Sequence, residues 1–209
     1  MKLNHVAVGV LTCLGLTAYA AELNVSSADL DHARVYLQQT QDLVVGATKG
    51  LSKEQWNFKP SPDRWSIAEI VEHVVVVQDY FLGPIRESLS KAAAGPERDY
   101  QREDELVINQ MPDRTRKFHA PDILVPTGRW TAAESMDRLL KNYVELRNYL
   151  ETTPDLRQHA VDLLPVKALS KGAYSKIDGY QAILLVAAHA ERHTKQILEV
   201  KAESSFPAK

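Results

Sequence analysis

The stretch Trp65-Ser66-Ile67-Ala68-Glu69-Ile70-Val71-Glu72-His73 decides the fold class, because it carries a complete helix-start signal. Ser66 is placed to cap, and Glu69, three residues later, can reach back to the Ser66 amide in a reciprocal capping box. Trp65 and Ile70 occupy the two positions of a hydrophobic staple, which fixes how the chain joins the helix. Beyond them Ile70, His73, Val74, Val77 and Phe81 recur at helical spacing and form an apolar stripe. The helix is predicted to run to about Ser90. Gly83-Pro84 marks a kink or interruption, since proline lacks an amide donor and clashes with the preceding turn.

Three further segments show the same periodicity. Upstream, Ser27 to Ala47 carries Leu30, Ala33, Leu37 and Val44 on one face, with Gly50 closing its end. The linker Leu51 to Arg64 contains Pro60 and Pro62, which keep it from continuing as helix. Downstream, Thr131 and Glu134 form a second capping box. It opens a helix to about Glu151, whose buried stripe is predicted as Met136, Leu139, Leu140, Tyr143, Leu146 and Leu150. Asp178 caps a last helix from Gly179 to about Lys201. No segment shows a convincing strand alternation. The class is therefore all-α, and four helices around one core predict an antiparallel four-helix bundle. Two irregular connections remain, Gly95 to Trp130 and Thr152 to Ile177. The charged stretch Glu97 to Glu105 reads as solvated surface, and the first connection is long enough for a lid or binding loop.

The N-terminus has the three-part layout of a secretory signal peptide. Lys2 is followed by an apolar run from Val6 to about Thr17, and Ala18-Tyr19-Ala20 supplies a small-x-small cleavage pattern. The run is shorter than the roughly 20 residues a bilayer span needs. Cleavage after Ala20 would leave residues 21–209 as one domain, periplasmic or secreted, with no membrane contact. Loss of Lys2 moves the formal charge from −2 to −3, and loss of Cys13 removes the only cysteine. Cysteine nucleophiles and zinc–thiolate sites are thereby excluded, and the near-neutral charge gives no footprint for nucleic acid.

His189-Ala190-Glu191-Arg192-His193 places two imidazoles four residues apart, one turn apart on one helical face. That face includes Ala182, Val186 and Val200, so both point into the bundle. Basic side chains on an apolar stripe need a partner, and a metal ion uses their neutral lone pairs. His73 on the second helix adds a third inward imidazole. Three histidines with an open fourth position form a known catalytic zinc arrangement, and imidazole also suits nickel, iron or copper. His5 leaves with the signal peptide, whereas His32, His119 and His159 read as surface residues. Ala190 stands where a zincin would carry its catalytic glutamate, which disfavours a peptidase of that type.

With Gln55-Trp56-Asn57-Phe58-Lys59-Pro60, Trp65 to His73, and His189 to Ile197, the sequence resembles the DinB-like (DinB/YfiT-type) superfamily over roughly Asp29 to Val200. The resemblance implies an up-down-down-up four-helix bundle and often a homodimer. It also implies a zinc, nickel or similar divalent ion held by His73, His189 and His193. Some relatives transfer low-molecular-weight thiols in the reducing cytosol, and the expected export departs from that setting. Two readings follow: a metal-dependent hydrolase or thiol-type transferase acting on a small-molecule substrate, and a non-catalytic metal- or small-ligand-binding bundle. A third leaves the histidines as hydrogen-bonded core residues. Within the enzyme reading Glu72 and Tyr80 are candidate catalytic groups, as proton carrier or as supporting partner of the ligands. Arg192 points away from the histidines and reads as a surface or interface residue.

Overall fold

Helices begin where the capping chemistry places them. The computed structural model describes residues 25–95, 98–163, 166–167, 172 and 175–208; the signal-peptide expectation falls outside them. Ser26, Ser52, Ser66, Thr131 and Asp178 each close a reciprocal capping box with the residue three positions on. They open α1 (Ser27–Thr48), α2 (Lys53–Asn57), α3 (Ile67–Tyr80), α6 (Ala132–Thr152) and α7 (Gly179–Lys201). Gly83-Pro84 interrupts the second long helix as expected: Phe81–Ile85 is one π turn, followed by α4 (Arg86–Lys91). Without an amide on Pro84 the regular ladder cannot pass through, and a wider turn absorbs the break.

Side-chain bonds between helices give their directions. Along α1 and α7, Tyr180 Oη donates to the Asp29 carbonyl (2.9 Å), Tyr36 Oη to Glu191 (2.8 Å) and Lys201 Nζ to the Ala47 carbonyl (2.7 Å). Both numbers rise together, so the helices are parallel. The same holds for α3 and α6, where Asn142 Nδ2 donates to Asp79 (2.7 Å) and Phe81 meets Tyr149 at 5.6 Å. Across the other two seams the order reverses. Arg34 bonds Glu151 and Arg147 bonds Gln38 between α1 and α6. Arg64 pairs with Glu203 while His73 meets His189 at α3 and α7. The bundle is therefore up-down-down-up, as the family resemblance implies, and not the simple antiparallel arrangement that periodicity alone suggests. Two parallel neighbours, α3 and α6, need a connection that returns the length of the bundle, which explains the long segment between them.

That connection corrects a second expectation. From Tyr100 the charged stretch belongs to α5 (Tyr100–Gln110), packed on α7; Asp99, Arg102 and Glu105 are solvent-exposed as expected, whereas Arg98, Glu103 and Asp104 turn inward. Arg98 donates to Glu103 (2.9 Å) and Asp178 (2.8 Å), and Arg157 to Asp104 (2.6 Å), all with side chains largely removed from water. Charges can leave water when each finds an opposite partner and further hydrogen bonds; Gln181 adds one to Glu103 (3.1 Å). Antiparallel β1 (Ala160–Asp162) and β2 (Lys176–Asp178) replace part of the second irregular connection. Leu37, Ile70, Leu139, Tyr143, Leu146, Leu150 and Ile183 are fully buried between the four long helices. Leu140 departs from its predicted stripe and is 39% exposed.

Candidate metal centre

Three imidazoles from two antiparallel helices are gathered in one place. Midway along α3, His73 faces His189 and His193, which lie at and just beyond the middle of α7, with ring centroids 4.9, 4.6 and 4.3 Å apart pairwise. The candidate ligand atoms all lie within 4.8 Å of one another. His73 Nε2 lies 3.1 Å from His189 Nε2. Two imidazole nitrogens on a tetrahedral ion would stand roughly 3.3 Å apart, given metal–nitrogen bonds of about 2.0–2.1 Å. The rings are therefore spaced as ligands are. Trp65, the staple residue, packs 4.9 Å from the His73 ring and stacks at 6.4 Å on His193, walling one side with apolar surface. His73 and His193 are buried, while His189 is half-buried and gives the centre its more open side.

Hydrogen bonds on the outer nitrogens decide what the inner ones offer. His73 Nδ1 lies 2.7 Å from the Leu124 carbonyl, which can only accept, so Nδ1 carries the hydrogen and Nε2 the lone pair. His193 Nδ1 meets Gln196 Oε1 at 2.8 Å, with the same consequence. Such outer bonds orient metal-binding histidines generally. The His73 lone pair faces His189 Nε2, 3.1 Å away. Burial pushes the His73 imidazole below its ordinary pKa. Burial, reinforced by the neighbouring histidines, pushes His189 and His193 well below theirs. All three are neutral near pH 7, the state a metal ligand requires.

The structure places Glu72 against the backbone of the connection between α5 and α6. It is 2% exposed, and its carboxylate accepts the amides of Thr127 (2.8 Å), Gly128 (2.9 Å) and Arg129 (3.2 Å), with both oxygens engaged. Gly128 sits at φ +74°, a left-handed conformation that suits glycine and lets successive amides converge. Tyr80, the other candidate, stands farther along the same helix. It lies seven residues along α3 from His73, roughly 10 Å by helical rise, and packs on the core. His32 and His119 are exposed, and His159 is bonded to the Ala92 carbonyl (2.7 Å), so none joins the centre.

Arg192 is not on the surface of the chain. Its buried guanidinium donates to the carbonyls of Met111 (3.3 Å), Asp113 and Arg116 (2.6 Å), and lies 5.2 Å from the Phe118 ring. Leu124, Gln196 and Arg192 are the supporting residues that sequence reasoning missed. A main-chain carbonyl leaves no sequence signal. Gln196 carried one, since it lies one turn beyond His193 on the same face.

Residues 36–197 match the family model of the DinB superfamily. YuaE of Bacillus subtilis, an uncharacterised protein, is 27% identical over 153 residues, covering 73% of this chain and 87% of its own length. The structure of YfiT from Bacillus subtilis superposes with a TM-score of 0.57 at 14% identity, covering 88% of this chain and 91% of that one. YfiT is described as "a probable metal-dependent hydrolase with an unusual four-helix bundle topology". At that identity the likeness establishes the shared four-helix-bundle fold alone. The family match spans most of the chain, and on it we conclude that this protein belongs to the DinB superfamily.

Proposed function

We propose that this protein is a divalent-metal-dependent hydrolase of a small molecule, with His73, His189 and His193 as its metal ligands. The observation that carries the reading is the pair of outer hydrogen bonds, Leu124 to His73 and Gln196 to His193, which leave inward-facing Nε2 lone pairs beside His189. The donor set fits zinc or nickel: imidazole is a good ligand for both, and three neutral donors leave a coordination position for substrate or water. When bound, such an ion supplies Lewis-acid activation of a carbonyl or phosphoryl group and acidifies water.

This chain's residues hold and shield that chemistry. Trp65 keeps bulk water from one side of the imidazoles. Glu72 holds the backbone of residues 127–129, and the Leu124 carbonyl fixes the His73 ring. The half-buried His189 side is where a small substrate would approach. The description of YfiT supports hydrolysis. The signal-peptide layout of residues 1–20 supports an exported enzyme. Export also favours hydrolysis over thiol transfer, whose co-substrates belong to the reducing cytosol.

Zinc- and nickel-loaded protein should hydrolyse members of a panel of small esters, amides and phosphoesters, with activity lost on chelation and restored by metal. Stoichiometric metal binding with no turnover would favour the non-catalytic binding bundle. Metal-dependent conjugation of an added thiol, without hydrolysis, would favour the transferase reading.

A further inference from the structure

Gln196 occupies a position from which it can choose the tautomer of a ligand. Its Oε1 meets His193 Nδ1 at 2.8 Å and also faces Arg114 Nη1 at 3.4 Å. The Arg114 guanidinium is itself fixed by a two-pronged bond to Glu199, with Nε to Oε1 at 2.6 Å and Nη2 to Oε2 at 2.7 Å. A guanidinium only donates. The oxygen end of the Gln196 amide must therefore face Arg114, and the same oxygen then receives the His193 Nδ1 hydrogen. Turning the amide over would set its NH2 group against the guanidinium and require His193 Nδ1 to accept. The imidazole hydrogen would move to Nε2 and remove the lone pair that faces His73.

We propose that Gln196, oriented by the Arg114–Glu199 pair, is a positioning residue that holds His193 as its Nδ1–H tautomer and so prepares Nε2 to bind metal. The chain of control runs from the connection after α5, through Arg114, to one face of α7. It gives His193 the service that the Leu124 carbonyl gives His73. The proposal rests on the metal-ligand reading for its consequence, but the tautomer itself belongs to the metal-free protein.

Two measurements separate those parts. Zinc affinity is read by competition with a chromophoric chelator for the parent, Gln196→Ala, Gln196→Glu and Arg114→Ala. The tautomer of His193 is read by nitrogen-15 imidazole spectra of the metal-free proteins at pH 8. Gln196→Ala should weaken zinc binding roughly 10- to 100-fold, the usual effect of losing an outer partner of a ligating histidine. Gln196→Glu, which still accepts, should bind at least as tightly as the parent. Arg114→Ala should lose less than Gln196→Ala. In the spectra the parent and Gln196→Glu should show Nδ1–H, and Gln196→Ala a mixture. Unchanged affinity and an unchanged tautomer in Gln196→Ala would overturn the proposal. A parent that binds no zinc would instead sink the metal reading, leaving the spectra to decide the positioning role. If Gln196→Ala does not fold, a changed tautomer in Arg114→Ala supports the proposal and an unchanged one overturns it.

Discussion

Glu72 and Arg192 each stand one residue before a site histidine, and they grip the same connection between α5 and α6 with opposite chemistry. The Glu72 carboxylate accepts the amides of Thr127, Gly128 and Arg129. The Arg192 guanidinium donates to the carbonyls of Met111, Asp113 and Arg116. Leu124, which fixes His73, lies between these two grips. The cover of the centre is thus fastened by the helices that supply its histidines.

Removing the Glu72 grip should loosen the protein. Glu72→Ala leaves three loop amides without their acceptor, and bonds to a charged partner contribute about 1.5–3 kcal/mol each before the loop relaxes. Urea denaturation of the metal-free protein should show a loss of about 2–4 kcal/mol. A change within about 0.5 kcal/mol, the usual size for a surface substitution, would show that the carboxylate does not hold the loop.

Arg192→Met keeps the aliphatic stem and deletes the three donated bonds. Limited proteolysis should then cut within residues 112–119 faster than in the parent, while cleavage elsewhere changes little. Equal cleavage rates in this segment would contradict the grip assigned to Arg192.

At the N-terminus of α7, Asp178 lies fully buried between Arg98 (2.8 Å) and Arg157 (3.4 Å). Burial pushes its carboxyl up to about 6, against the pull of Arg157, the Gln181 amide and Arg98. Removing one partner of a buried charge pair typically costs about 3–5 kcal/mol, and Arg157→Met should fall in that range at pH 7. The substitution leaves Asp178 with Arg98 alone and Asp104 without Arg157, and the loss should shrink as acid protonates these carboxyls, both pushed up by burial. An equal loss at pH 5 and pH 7 would argue against this origin.

The histidines give the metal-free protein a pH dependence of known sign. All three have folded pKa values lowered from about 6.5, first by burial. Below pH 6.5 the unfolded chain therefore binds more protons than the folded one, and stability falls with acidification until the lowered folded values are passed. Replacing all three with apolar residues should flatten the denaturation midpoint between about pH 6.5 and pH 5. An unchanged slope in the triple variant would place the effect elsewhere. Asp178, with its raised value, acts in the opposite sense: its contribution is lost as pH rises from about 4 through about 6.

How much was legible depended on whether the signal was local. Ser66 with Glu69, Thr131 with Glu134, and Asp178 each advertise a helix start within four residues, and all three act as read. The break at Gly83-Pro84 was equally local. The convergence of His73, His189 and His193 followed from inward faces on two helices. Arg98, Glu103 and Arg157 were illegible as a buried network because each charge is tolerable only through partners distant in sequence. Arg192 misled for the same reason, since its partners are backbone carbonyls about 80 residues away. Three-residue strands such as Ala160–Asp162 are too short to show alternation. Leu140 fits the helical period yet lies just outside the covered arc.

The most direct test is the metal content of the protein purified without a metal-binding tag, beside a His189→Ala/His193→Ala double variant. About one equivalent of a divalent ion in the parent and almost none in the folded variant is the expected result. No metal in the parent, even after incubation with zinc or nickel, would contradict the central claim and leave the three imidazoles as hydrogen-bonded residues of the bundle.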